Sequence, residues 1–189
     1  MSGATLIDTF WNAFATKAKP TQLERYIARN APAGIQRFIA IGGGPKMGTT
    51  LEAYARYCFP CLHKRKKGRD QTGYDHYIVS SSAHHVLVEQ KSSGHWGDAD
   101  YKWQHLEEKH NWNMLLLCGI DYDQVRFWAM DRATFRRLIE ANVITNQGNK
   151  AGNSSEGRWF NYMDVKDSLT EIHSNDELLE FASNLQKVD

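Results

Sequence analysis

The chain has 189 residues, enough for one domain with a sizeable core, and its Lys+Arg count of 23 nearly balances Asp+Glu at 22. A net charge of +1 with 41% hydrophobic residues excludes general disorder, and it leaves any polyanion-binding surface to local clustering of charge. No apolar run approaches the roughly 20 residues of a membrane span, the N-terminus lacks a secretory pattern, and three cysteines leave one unpaired. A soluble, cytoplasmic or otherwise intracellular protein is expected.

From the N-terminus, Leu6, Ile7, Phe10, Trp11 and Phe14 recur at helical spacing over Thr5 to Lys17. Pro20-Thr21-Gln22-Leu23-Glu24 marks a second helix start, with Leu23, Tyr26 and Ile27 on its apolar face. Ala31-Pro32-Ala33-Gly34 reads as a turn, and Gln36 to Ile41 suits either a short helix or a strand. Gly42 to Gly48 is glycine-rich but lacks the Gly-Lys-Ser/Thr of a phosphate-cradling loop, so it reads as a flexible loop. Thr49 or Thr50 would cap the helix that carries Glu52.

Cys58 and Cys61 form a CxxC followed by His63. Zinc binding there would need a further ligand, and a packed helix end is the plainer reading. The run His63-Lys64-Arg65-Lys66-Lys67-Gly68-Arg69 is the densest positive stretch. It is either a solvated loop or a clamp on nucleic-acid phosphates.

Gly73-Tyr74-Asp75-His76-Tyr77-Ile78-Val79 and His85-Val86-Leu87-Val88-Glu89-Gln90-Lys91 are both rich in β-branched and aromatic residues, and a short polar turn separates them. A hairpin symmetric about Ser82 sets Asp75 opposite Glu89, with Cβ atoms roughly 4.5 to 5.5 Å apart. Lys91 then projects from the face of Glu89. Two carboxylates that close favour a divalent cation between them, and oxygen-only ligation with room for water suits Mg²⁺ and phosphate chemistry.

Asp75, thirteen intervening residues and Glu89-Gln90-Lys91 together resemble the PD-(D/E)xK nuclease superfamily, the restriction-endonuclease-like fold. Tyr74 stands where the family's name has proline. The resemblance spans roughly 48 to 130 and implies a single α/β domain, a mixed central β-sheet flanked by helices. Residues 1–47 would be a helical N-terminal part, 48–130 the catalytic core and 131–189 a C-terminal part. It further implies Asp75, Glu89 and the Gln90 carbonyl as ligands of Mg²⁺ (Mn²⁺ as substitute), Lys91 positioning the attacking water, and Glu52 supporting the site. The implied activity is cleavage of double-stranded DNA with the 3′ oxygen as leaving group, as a sequence-specific, restriction-type endonuclease. Cutting both strands leads us to expect a homodimer. A repair, recombination or homing nuclease of the same fold and a non-catalytic nucleic-acid-binding module are the alternatives.

Ser92 to Asp98 reads as a polar loop, with Ser92, Ser93 and His95 near a phosphate, although His95 could simply be exposed. Ala99 to His110 reads as a helix bearing Tyr101, Trp103 and Leu106. Asn113 to Ile120 is an apolar run fit for a buried central strand, and Gln124 to Met130 alternates as its partner, with Trp128 in the core. Asp131 caps a helix to Glu140 that leaves Arg132, Arg136 and Arg137 outside. The polar stretch 145–158 carries Asn146, Gln147, Asn149, Lys150, Asn153 and Arg158. These could read base edges, or the stretch is only a surface loop. Trp159 to Met163 returns as an edge strand, and Asn175 to Ala182 closes the chain as a helix. No internal repeat or linker divides the chain.

Overall fold

The computed structural model describes Thr9 and residues 20–42, 44–66, 73–79, 84–96, 100–146 and 157–185. Apart from helical Thr9, the N-terminal helix expected over Thr5 to Lys17 lies outside them, as does the hairpin turn at 80–83. The described residues form a mixed α/β structure with six α-helices and a nine-stranded sheet.

Helix α1 (Gln22–Ala28) starts where the sequence places it, because Thr21 and Glu24 close a capping box: Glu24 N donates to Thr21 Oγ1, and Thr21 N donates to the Glu24 carboxylate at 2.7 Å. The open choice over Gln36 to Ile41 resolves as helix α2 (Ala33–Ala40), whose Ile35 and Ile39, four apart, face the core. Helix α3 (Gly44–Cys58) corrects the expected loop over 44–48. Pro45 is tolerated in the first turn, where its missing N–H would have no partner, and the chain is already helical there. Thr49 and Thr50 are therefore not caps; their hydroxyls donate back to the carbonyls of Pro45 and Lys46 at 3.0 and 2.9 Å. Cys58 closes the helix, and Asn175 Oδ1 accepts from Cys61 N at 2.9 Å, which is the packed helix end expected of the CxxC.

The short strand β1 (His63–Lys64) pairs with β2 (His76–Val79), which pairs antiparallel with the long β3 (His85–Trp96). The register Val79↔His85, Ile78↔Val86, Tyr77↔Leu87 and His76↔Val88 is symmetric about Ser82, as the turn position requires. Strand β3 continues through Ser92 to Trp96 and so corrects the expected polar loop over those residues; 97–99 lie outside the described residues. β4 (Asp100–Leu106) corrects the expected helix. Tyr101 and Trp103 alternate inward as strand residues do. His105, at φ 58°, sits in the left-handed region where the register shifts, and this bulge turns Leu106 to the same side as Trp103. The three-residue step from Trp103 to Leu106 is that bulge.

β5 (Met114–Ile120) is buried along its whole length. It runs parallel to β3 from Val88 to Gly94 and antiparallel to β6 (Val125–Asp131). Asp131 then caps α4 (Arg132–Glu140), its carboxylate accepting from Thr134 N and Oγ1, each at 2.7 Å. β7 (Thr145–Asn146) and β8 (Arg158–Asn161) add to β4. β8 thus lies inside this smaller array and turns helical at Tyr162, in α5 (Tyr162–Val165), instead of forming an edge strand through Met163. β9 (Thr170–Glu171) borders β6, and α6 (Asn175–Leu185) ends the described chain.

Two apolar cores line the two faces of the sheet. One joins Leu51 and Ala55 of α3 to Val86, Val88, Met114 and Leu116, with α1, α2 and α6 packed on it. The other is aromatic and gathers Trp103, Trp112, Trp128, Phe135 and Phe160. Trp128 is core, as expected. Gly119 marks the tightest point, since a Cβ there would meet the rings of Trp128 and Tyr101 at 2.8 Å. No helix among the described residues is long and apolar enough to cross a membrane.

Candidate active site

The β2–β3 ladder ends at His76↔Val88, immediately before the acidic residues. Beyond it, Asp75 N donates to Val88 O at 2.9 Å, and the Asp75 carboxylate accepts from Gln90 N at 2.9 Å. Asp75 therefore takes over with its side chain the ladder position that its backbone leaves open. N–H and C=O of one strand residue point to the same edge, so the Gln90 carbonyl also faces the edge where Asp75 lies.

Glu89 and Lys91 share the face of Leu87, and Lys91 Nζ donates to Glu89 Oε1 at 2.6 Å. The expected clustering of amine and carboxylate is present. Glu52 reaches the site from α3, which packs on the opposite face. Burial and then the negative Asp75 hold the Glu52 carboxyl above its ordinary range, with Glu89 adding to the effect and Arg56 and Arg65 opposing it. Burial likewise pushes Glu89 up, against Lys91, while Asp75 pushes it further. Asp75 is the common neighbour of both acids, one on each side of the sheet rim.

Three acids, Glu52, Asp75 and Glu89, thus have three cations, Lys91, Arg56 and Arg65, among their charged neighbours. Among the described residues no three His, Cys, Asp or Glu side chains form a cage by themselves. The oxygen donors that would hold Mg²⁺ are Asp75, Glu89 and the Gln90 carbonyl, which would leave positions for water.

Around the acids, Lys64, Arg65 and Lys66 are exposed, and Arg65 N donates to Asp75 O at 3.2 Å, which fastens the basic run beside the site. Lys67 and Arg69 lie outside the described residues. Of the residues expected near a phosphate after Lys91, Ser93 and His95 are buried and Ser92 is half-buried. Ser92 is half-buried and accepts from Gln90 Nε2 at 3.3 Å. Ser93 is buried, accepting from Lys102 N and donating to Gly94 O. His95 is 6% exposed, bonded to Asp121 Oδ1 at 2.8 Å and stacked between Tyr101 and Tyr122.

Asn146 and Arg158 pair across β7 and β8, and Arg158 also meets Glu108 at 3.4 Å. Gln147, Asn149, Lys150 and Asn153 lie outside the described residues. Arg132 is not a free surface charge: its guanidinium donates to the carbonyls of Glu108, His110 and Trp112.

A buried polar chain that no motif marks runs beneath Asp75. His76 is 0% exposed, and burial pushes its imidazole down to about 4, so the ring is neutral. Arg56 Nη1 lies 3.0 Å from His76 Nδ1, and His76 Nε2 lies 2.9 Å from Gln90 Oε1. Guanidinium can only donate, so Nδ1 accepts and Nε2 carries the proton to Gln90. The available signal was the parity of His76 with Ile78 on an inward face and the four-residue spacing of Glu52 and Arg56 on one helix.

No protein-family model matches the chain, and no curated protein matches it.

Proposed function

We propose that this protein is a metal-dependent endonuclease that hydrolyses phosphodiester bonds in double-stranded DNA. The observation that supports the reading is that Asp75 and the Glu89–Lys91 ion pair lie beside one another at the open end of the hairpin, with Glu52 near enough to feel the charge of both acids. There Asp75 is bonded to Gln90 N, and Lys91 lies 2.6 Å from Glu89. Asp75, Glu89 and the Gln90 carbonyl would hold Mg²⁺, with Mn²⁺ as substitute. When bound, the cation supplies stabilisation of the charge that develops on the phosphoryl oxygens.

The chain's own groups do the rest. Lys91 Nζ donates to the attacking water and to the charge growing beside it. Glu52 adds negative charge that favours the cation. Lys64, Arg65 and Lys66, beside Asp75, neutralise backbone phosphates. The water oxygen bonds to phosphorus as the bond to the 3′ oxygen breaks; solvent takes the water's proton and protonates the leaving oxygen. Sequence-specific, restriction-type cleavage by a homodimer is the form proposed, with 145–158 reading bases.

Plasmid DNA incubated with Mg²⁺ or Mn²⁺ tests this. Wild type should convert supercoiled plasmid to linear fragments of discrete size, and Lys91→Ala should bind without cutting. Smeared or nicked products would favour a structure-directed nuclease of the same fold. Failure of wild type to cut duplex or branched DNA in either metal, with binding intact, would leave a binding module and refute the proposal.

A further inference from the structure

The β2–β3 ladder stops one residue short of the chemistry, and this raises the question of what holds Asp75 against β3. Three main-chain contacts reach Asp75: its N–H to Val88 O, the Gln90 N–H to its carboxylate, and Arg65 N to its carbonyl. One side-chain contact crosses the same gap. Gln90 is the diagonal neighbour of His76 on the face opposite Glu89, and their bond at 2.9 Å continues the pairing past its last rung. Arg56 fixes the ring's tautomer from α3, one helical turn beyond Glu52. The row Arg56, His76, Gln90 and Ser92 thus ties the helix bearing Glu52 to β2, which Asp75 immediately precedes, and to β3, which bears Glu89.

We infer that His76, which touches none of the reacting groups, is a positioning residue: through Gln90 it holds the main chain of residue 90 against the Asp75 carboxylate and registers α3 on the hairpin. The inference rests on the nuclease reading for its catalytic consequence, but its mechanical content stands apart from that reading. A buried partner that orients a ligand set changes activity or metal affinity by about 10- to 100-fold when removed. The effect should fall on kcat, because duplex DNA is bound by the basic run and not by this row.

The test uses the full chain with three variants. His76→Phe keeps the ring volume and removes both nitrogens. Gln90→Met cuts the same bond from the other end and keeps the main-chain N–H and carbonyl. His76→Gln can again offer an acceptor to Arg56 and a donor to Gln90. Amide hydrogen exchange at residue 90 should accelerate about tenfold or more in the first two, with Leu115 to Leu117 of β5 unchanged. In the same variants kcat for plasmid cleavage should fall about 10- to 100-fold with KM for DNA unchanged, and His76→Gln should recover most of both effects.

Unchanged exchange at residue 90 in both His76→Phe and Gln90→Met overturns the inference. So does faster exchange with kcat intact, which would make the row merely structural. A wild type that cuts nothing sinks the nuclease reading alone, and the exchange result still decides whether His76 holds residue 90.

Discussion

Replacing Lys91 by methionine deletes the ammonium and keeps most of the stem, so the change isolates the charge. Lys91 Nζ lies 2.6 Å from Glu89 Oε1, and the two side chains are 22% and 7% exposed. Removing one partner of a fully buried ion pair costs about 3–5 kcal/mol, because the remaining charge has no counterion. Lys91 is partly open, so water recovers some of the loss, and about 2 kcal/mol is expected. For a chain of 189 residues that lowers Tm by about 4–8 °C.

The pH dependence follows from Glu89. Burial raises its carboxyl and Lys91 opposes the rise, so Lys91→Met raises it further. A carboxyl whose folded pKa exceeds its unfolded value stabilises most below the unfolded value, and the contribution is lost as pH rises through the folded one. The Lys91→Met penalty is therefore full at mildly alkaline pH. It shrinks on acidification through the raised Glu89 value, where the protonated acid needs no counterion. Melts of wild type, Lys91→Met, Glu89→Gln and the double variant across pH measure this, and the double variant should recover much of the loss. A double variant whose loss is the sum of the two single losses would refute the coupling, as would a penalty that grows in acid.

Glu52→Gln should melt above wild type at neutral and alkaline pH, since burial and Asp75 both oppose its charge, and the advantage should vanish in acid; equal melting across pH would contradict the placement of Glu52. Mg²⁺ should raise Tm more at alkaline than at acid pH, because protons compete for Glu52 and Glu89; a shift independent of pH, read by the same melts, would argue for binding elsewhere. Arg132→Ala removes bonds of 2.6 to 2.9 Å to three carbonyls and should cost about 3 kcal/mol in urea unfolding. Arg136→Ala should cost little, and equal effects would return Arg132 to the surface. Gly119→Ala drives a methyl into Trp128 and Tyr101 and should cost about 1–3 kcal/mol; a neutral result by the same unfolding would mean that the rings move aside.

Local chemistry made much of this legible before any coordinates. The hairpin register follows from the position of a short polar turn, because pairing outward from it leaves a single parity that buries Ile78, Val86 and Val88. The capping box at Thr21, the cap at Asp131 and the apolar run of β5 are equally local. Asp75, Glu89 and Lys91 could be brought together on paper for the same reason, since they lie within one hairpin.

What lay beyond reach depended on partners distant in the chain. β4 is a strand because β8 and the aromatic core receive it, and the bulge at His105 disguises its alternation. His95 and Ser93 look like loop residues until Tyr26, Tyr101 and Asp121 close over their strand. Arg132 looks solvated until the carbonyls of 108, 110 and 112 turn toward it.

By itself, then, the sequence determined which residues pair across the hairpin and which acids flank its open end, because turn position and side-chain parity act over a few residues. Only the tertiary structure decided that Glu52 and Arg56 arrive from the far face and that His76 bonds Gln90 beneath them. Those placements come from packing α3 on the sheet, and no local pattern encodes where that helix comes to rest.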